Sequence, residues 1–351
     1  MKKTIYFLLF GSVILFSSLT YSQNNDINRT LSNLSTAAAK PYVNPVISAF
    51  GSNLNSGWVS KLPSAKIFSF NLDLKIVGMG SFFDKNEKTF ATTGAFRFTS
   101  SQADQLVAGL PAAVRADIKN QILSQDFSVS IAGPTIIGSG NDRVKVTFAG
   151  QSFTSNGQSF PVAAQTFILN DVKGFLNNLQ VMPSAAVQLG IGTFLGTNFM
   201  LRWLPDIQIK DLGKFSFWGV GALHNPAVWF DGDMPFDLAL GGFYQKLTVG
   251  TIFETTAFQY GVYISKTLGS IIAFTPYMGV TTETSTTTIN YDYEFDTPTG
   301  LSKSNINFKM KGKNTLGFTI GASFKLAILN FNVDYKIANI RTLSAGLNFG
   351  F

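Results

Sequence analysis

The side chains that most often perform catalysis are scarce in this chain. It has no Cys and a single His, His224, among 351 residues. These counts exclude thiol catalysis, Cys-ligated zinc, iron–sulfur clusters and any site that needs several histidines. A Ser–His hydrolase would have to use His224. Because His224 precedes Asn225 and Pro226, a pair that favours a turn, we interpret it as structural and predict no enzymatic activity and no cofactor.

Acidic residues give no convincing metal site either. Asp231, Asp233 and Asp237 are spaced closely enough to suggest calcium. A calcium loop also needs a Glu at a fixed distance, and none follows here. We therefore predict no metal site.

Charged residues do occur at positions where a strand would point them inward. Arg202 lies between Leu201 and Trp203, so in an extended strand it faces the side opposite to both. An inward charge needs a partner, and we predict Asp237 in preference to an anionic solute gripped by Arg202. By the same alternation, the residues predicted to line a lumen are Arg202, Asp237, Lys325, Asp334 and Lys336.

The elements that would position these residues are strands, because the second half of the chain alternates with period two. In 316–326 and 329–337 every second residue is apolar, and the residues between are mainly Ser, Thr, Asn and Gly. Strands of about ten residues match a tilted bilayer crossing. A soluble β-sandwich, the alternative, has shorter strands and more than the 13% charged residues found here. We predict an all-β, transmembrane antiparallel β-barrel of about 14 strands, with 12 as the alternative count.

Both ends of the chain are typical of an exported barrel. Lys2 and Lys3 precede an apolar stretch, so residues 1–22 are predicted to be a signal peptide. The last strand places Leu347, Phe349 and Phe351 on one face, and this resembles the membrane-insertion signal of outer-membrane barrels. The resemblance implies recognition by the barrel-assembly machinery. We expect the cell outer membrane of a Gram-negative bacterium, and outer-membrane lipid as the surroundings.

The first half of the mature chain is less regular. Residues 23–62 show helical spacing up to Pro41 and Pro45, which are expected to break the helix. This segment is either a helical plug in the lumen or a periplasmic extension. Residues 63–351 form the barrel, with a helical insertion at about 101–123.

Several local motifs resemble an uncharacterised family of Bacteroidota outer-membrane barrels, known only as a domain of unknown function. They include Lys40-Pro41-Tyr42, Gly57-Trp58, and the run from Leu201 to Pro205. A more distant likeness is to FadL-type transport barrels, which have 14 strands and an N-terminal hatch. The Asn-Pro-Ala motif of that class occurs here at 225–227, between two strands, where we interpret it as a turn.

Two functions remain open from the sequence. The first is a channel or transporter for a small molecule, with a hydrophobic molecule as one option. The plug-like segment favours this function. The second is a non-catalytic structural or accessory subunit of an envelope secretion or assembly complex, with an envelope protein as its partner. Nucleic acid is not expected as a partner, because the net charge of +7 is spread out without a run of Lys or Arg.

Overall fold

A computed structural model describes residues 27–209, 213–231 and 234–350 of the chain. The predicted signal peptide, Asp233 and the final residue Phe351 lie outside the described residues. Four α-helices are described: α1 Ile27–Ser32, α2 Thr36–Leu54, α3 Ser100–Val107 and α4 Ala112–Leu123. The first nine strands are β1 Phe68–Phe82, β2 Thr89–Phe96, β3 Phe127–Pro134, β4 Val144–Phe148, β5 Gln151–Ser155, β6 Gln158–Val162, β7 Gln165–Leu169, β8 Val181–Phe194 and β9 Thr197–Ile209. The others are β10 Gly213–His224, β11 Asp237–Val249, β12 Phe253–Ser265, β13 Leu268–Gly269, β14 Ile272–Thr297, β15 Gly300–Lys311, β16 Leu316–Leu326, β17 Leu329–Ile337 and β18 Thr342–Gly350.

Ten of these strands close into an antiparallel barrel. The order around the ring is β1, β8, β9, β10, β11, β12, β14, β16, β17 and β18. The last strand returns to the first in a register that runs from Asp73 opposite Gly350 to Ser81 opposite Thr342. Closure satisfies the strand edges, and it confirms the predicted fold class.

The predicted number of barrel strands was too high. The expected 14, or 12, included the short strands between residues 89 and 169, which form a separate four-stranded sheet of β2, β3, β4 and β7 and a β5–β6 hairpin. Most of these strands have five residues, too few to cross a bilayer. Their alternation reflects burial of one face against a core outside the ring.

The barrel wall is apolar outside and polar inside. Every second residue of β16 points outward, and Leu316, Phe318, Ile320, Phe324 and Leu326 are all exposed. Outward residues of the other ring strands are also large and apolar. Eleven residues at about 3.3 Å each, tilted by about 40°, span roughly 28 Å, close to the thickness of a bilayer core. A soluble sandwich would bury this face, so the arrangement favours a barrel surrounded by lipid.

No α-helix within the described parts of the chain has both the length and the hydropathy needed to cross a membrane.

The two ends of the barrel differ. Strand β1 begins and strand β18 stops at the same end of the barrel. We call it the turn end, because tight connections such as Leu195–Gly196 and Ala327–Ile328 join strands there. The opposite end is the cap end, and residues 83–180 form the cap. The predicted helical insertion is there as α3 and α4. The upper part of β14 also projects beyond the barrel at the cap end, paired with β15.

The cap and the N-terminal helices share one hydrophobic core. Phe98 is fully buried, and its ring contacts those of Phe96, Phe127, Phe148 and Phe167. Residues of α1, α2 and the projecting part of β14 belong to the same core. The cap therefore requires the N-terminal segment for its packing.

Pro41 and Pro45 do not break the helix as predicted, since both lie inside α2. Each proline removes a backbone hydrogen bond, at a cost of about 3 kcal/mol. Burial offsets this cost: Tyr42, Val43 and Ile47 are fully buried, and each contributes about 1.5–3 kcal/mol. Tertiary packing has outweighed local propensity.

Candidate functional site

The chain passes through the barrel before it forms the wall. At the cap end, the backbone N–H of Ile136 donates to the Tyr42 carbonyl at 3.0 Å. At the turn end, the Asn225 amide donates to the Pro63 carbonyl at 2.9 Å. Residues 52–63, which we call the luminal segment, lie between these two contacts. Their partners come from β1, β8, β9, β11, β14, β17 and β18, so the segment lies within the ring.

The luminal segment begins at the C-terminal end of α2, where backbone carbonyls lack helical partners. The last turn of α2 contains no basic residue. The barrel wall supplies one instead: the Lys336 ammonium donates to the carbonyls of Ser52 at 3.0 Å and Asn55 at 3.2 Å. A cation at this end also interacts favourably with the helix dipole. Gln245 donates to the Leu54 carbonyl in the same turn.

Lys336 is in turn neutralised by an acidic residue of the wall. Its ammonium is 3.1 Å from Oε1 and 3.0 Å from Oε2 of Glu283. The two side chains are 1% and 0% exposed. A buried pair with this many hydrogen bonds is satisfied, whereas either charge alone would be costly.

Two further cations bind the segment nearer the turn end. The Arg202 guanidinium donates to the Ser56 carbonyl at 2.9 Å and lies 3.8 Å from the centre of the Trp58 ring. The Lys75 ammonium donates to the carbonyls of Gly57 at 2.9 Å and Val59 at 3.4 Å. All of these donors point at backbone oxygen, so they fix the path of the chain.

Neutral contacts complete the attachment. The hydroxyls of Ser52 and Thr342 are 2.6 Å apart, and the hydroxyl of Ser81 donates to Asn53 Oδ1 at 2.7 Å. Gly57 has φ +67°, and a Cβ there would come within 2.9 Å of Val77. Glycine fits this position because it adopts a positive φ without strain and has no Cβ to contact Val77.

The predicted lumen residues divide into two groups. Arg202, Asp334 and Lys336 are buried inside the barrel. Asp237 begins β11 and is partly buried, and Lys325 near the end of β16 is exposed, so both lie at the rim of the turn end.

The predicted pair of Arg202 with Asp237 does not form. Gly219 is opposite both Arg202 and Gln245, which places these two residues at one level of the barrel. Asp237 is eight positions from Gln245 along β11, about 26 Å at 3.3 Å per residue. Arg202 instead donates to Gln188 Oε1 at 2.8 Å and to the luminal segment.

Sequence reasoning also missed Lys75, which binds the luminal segment, and Glu283, which neutralises Lys336. Lys75 and Glu283 are as deeply buried as the predicted residues. Both fall on the polar face of an alternating strand, and this signal was present in the sequence.

His224 has a structural position at the turn end. Its Nε2 accepts a hydrogen bond from the Trp229 indole at 3.1 Å, and its Nδ1 is 2.9 Å from the Thr197 hydroxyl. Because Nε2 accepts, the neutral ring carries its proton on Nδ1 and donates to Thr197. The Asn-Pro-Ala sequence forms the predicted turn: Asn225 Oδ1 accepts from the Ala227 N–H at 3.0 Å, at the start of a short 3₁₀ helix.

A buried tyrosine of α2 contacts the cap through its hydroxyl. Desolvation raises the pKa of the Tyr42 hydroxyl well above its usual value. The protonated hydroxyl donates to the Lys173 carbonyl at 2.7 Å.

A cavity of about 250 Å³ opens at the turn end, and we call it the vestibule. Trp58 and Lys75 line it, together with the end of the luminal segment and residues of β1, β8, β9 and β10. Asn330 and Asn348 complete the lining. The luminal segment thus separates the vestibule from the cap.

The chain belongs to the family of unknown function DUF6588, which it matches over residues 1–351. No curated protein matches this sequence. Among solved structures, it is similar to a loop-deletion form of OmpT, an outer membrane protein of Vibrio cholerae, with 9% identity, 82% of this chain and 100% of that chain covered, and a TM-score of 0.23. The outer membrane protease OmpT from Escherichia coli has 8% identity, with 82% of this chain and 100% of that chain covered and a TM-score of 0.26. The β domain of the Bordetella autotransporter BrkA has 10% identity, with 81% of this chain and 100% of that chain covered and a TM-score of 0.22. These identities and TM-scores are too low to relate the activity of this chain to theirs.

Proposed function

We propose that this protein is an outer-membrane transporter barrel for a small molecule, held closed by its own N-terminal segment. One observation carries the proposal: Lys75, Arg202 and Lys336, from three different strands, all donate to backbone carbonyls of the luminal segment. The segment occupies the lumen, so a solute passes only when these contacts are released.

The apolar outer surface supports placement in a bilayer. The two-residue connections β8–β9 and β16–β17 at the turn end and the large cap at the other end match the periplasmic and external ends of outer-membrane barrels. On this basis the turn end faces the periplasm, and Leu347 and Phe349 of β18 belong, with the sequence position Phe351, to the signal that the assembly machinery recognises. A Gram-negative, Bacteroidota origin and an export signal at residues 1–22 remain part of this proposal.

The lining of the lumen favours a polar solute. The buried wall residues around the luminal segment include Gln188, Gln245, Gln259 and Asn332. A hydrophobic molecule, as carried by the FadL-type barrels, would leave these groups without hydrogen bonds, at about 1–3 kcal/mol each. We therefore replace the hydrophobic ligand expected from the sequence with a polar one.

A cross-link between the luminal segment and the wall tests the gating. The chain has no Cys, so the double variant S52C/T342C contains a single cysteine pair, at positions whose hydroxyls are 2.6 Å apart. The purified variant is reconstituted in liposomes, and flux of small polar solutes and ionic current are measured before and after oxidation. We expect flux from the reduced form, loss of flux on oxidation, and recovery with a reductant.

A matched control joins two wall strands instead. In T255C/T287C the paired residues lie directly opposite each other on β12 and β14, and their hydroxyls are 2.8 Å apart. Oxidation of this control should leave flux unchanged. If oxidised S52C/T342C passes solutes as fast as its reduced form, the luminal segment is not a gate.

The number of bonds to the luminal segment also suits the second function, a barrel that never opens and serves as a structural subunit of an envelope complex. The cap would then be the surface for the partner protein. Absence of flux in both redox forms, together with a stoichiometric protein partner in native mass spectrometry of the gently extracted protein, would favour this alternative.

A further inference from the structure

The vestibule has the composition of a binding site for a small polar molecule. Five amide side chains line it, and an amide both donates and accepts hydrogen bonds. Hydroxyl groups have the same dual capacity, so this lining matches a polyhydroxylated solute. The five are Asn71, Gln188, Asn198, Asn330 and Asn348.

The charges at the vestibule favour an anion. Lys61, Lys66, Lys75 and Asp73 line the cavity. Asp73 is also within electrostatic range of Lys325, Lys61 is within range of Asp237, and Lys75 is within range of Arg202 and Asp334. Five cations against three carboxylates leave an excess of two positive charges, which attracts a solute carrying a carboxylate.

Apolar side chains are confined to part of the wall. Leu62, Met200 and Leu223 lie in the lining with the polar groups. Both faces of the Trp58 ring are already covered, one by Phe243 at 4.8 Å and one by Arg202 at 3.8 Å. The ring is therefore unavailable for stacking, and recognition depends on the polar groups and on a short apolar patch.

The volume suits a small ligand. A cavity of about 250 Å³ has room for a monosaccharide-sized solute. We propose that the vestibule binds a small hydroxylated carboxylate of the sugar-acid class. The inference names a solute for the proposed transporter and rests on that function, but binding does not require the luminal segment to move.

Isothermal titration of the detergent-purified full chain with glucuronate and with glucose tests the assignment. Glucuronate should bind more tightly than glucose. The variants K61Q and K66Q should each weaken glucuronate binding by about fivefold, the effect of one partly exposed charge, with little effect on glucose. Asn330→Leu should weaken both sugars by about tenfold, because their hydroxyls lose a polar partner.

The control variant is K145Q, which removes an exposed charge from the cap and should leave both affinities unchanged. Equal binding of glucose and glucuronate, unaffected by K61Q and K66Q, would overturn the assignment of an anion. No binding of either sugar would overturn the site itself. Neither result depends on the S52C/T342C cross-link, so failure of this inference and failure of the gating proposal are separable.

Discussion

Replacing Lys336 with Met tests whether buried charge holds the luminal segment in place. The ammonium contacts four oxygen atoms at 3.0–3.2 Å, on Ser52, Asn55 and Glu283. Met keeps much of the length of the side chain and removes the charge. The variant K336M therefore leaves Glu283 as a buried carboxylate without its cation.

The size of the effect follows from that unpaired charge. Breaking a buried ion pair by removing one partner costs about 3–5 kcal/mol. The double variant K336M/E283Q removes both charges, so only the lost hydrogen bonds to Ser52 and Asn55 remain, at about 1–3 kcal/mol each. The single variant loses the same two hydrogen bonds and leaves an unpaired charge in addition, so the double variant should be more stable than the single one.

The measurement is the free energy of unfolding in guanidinium, followed by Trp fluorescence in phospholipid vesicles. A matched control is K303M/E294Q on the β14–β15 hairpin, whose pair is 2.6 Å apart with side chains 60% and 41% exposed. An exposed pair contributes at most about 1 kcal/mol. If K336M destabilises the protein no more than K303M does, the charged lumen residues do not hold the segment and our reasoning is wrong.

Three further perturbations test other parts of the structure. Gly57→Ala places a Cβ 2.9 Å from Val77 on a backbone with φ +67°, and it should lower the free energy of unfolding by about 1–3 kcal/mol. The control is Gly157→Ala: Gly157 has φ +75° but open space around it, so this change should lower the free energy of unfolding by only about 1 kcal/mol. Trp58→Ala removes a fully packed ring and should cost about 3–5 kcal/mol in the same assay, with Trp→Phe recovering part of the loss. In intact cells, a membrane-impermeant maleimide should label T299C at the tip of the β14–β15 hairpin and not I328C at the turn end; the reverse pattern would invert the proposed orientation.

Alternation in the sequence was enough to predict the inward direction of three of the five candidate lumen residues. Arg202, Asp334 and Lys336 were assigned inward from their neighbours alone, and all three are buried. The reason is geometric: successive residues of a strand point to opposite faces, so one apolar, outward residue fixes the direction of the next.

Alternation could not give the height of a residue in the barrel or the sheet to which a strand belongs. The predicted Arg202–Asp237 pair was wrong because both residues face inward but lie about 26 Å apart along the wall. The excess of predicted strands has a related cause. Strands β4 and β7 alternate as the barrel strands do, yet they bury their apolar side against the cap core, and period two does not distinguish that core from lipid.

Helix α2 shows a different limit of prediction from the sequence. Its two prolines indicated a break, but the packing that outweighs them comes from cap residues nearly a hundred positions away, such as Ile136. A local pattern carries no information about such partners. The choice between plug and periplasmic extension likewise depended on contacts that only the folded chain displays.

The roles of the buried cations follow from the end of that helix. A helix that stops inside a low-dielectric barrel exposes carbonyls that water cannot reach, and α2 has no basic residue in its own last turn. The wall therefore has to provide the donors, and Lys336 and Gln245 do so. Inward charges that suggest a solute pathway in the sequence thus bind backbone carbonyls of the luminal segment in this structure. Under the transport function proposed above, a solute that enters from the turn end first meets the amides and lysines of the vestibule, and it competes for Lys75 only after the carbonyls of Gly57 and Val59 have been released.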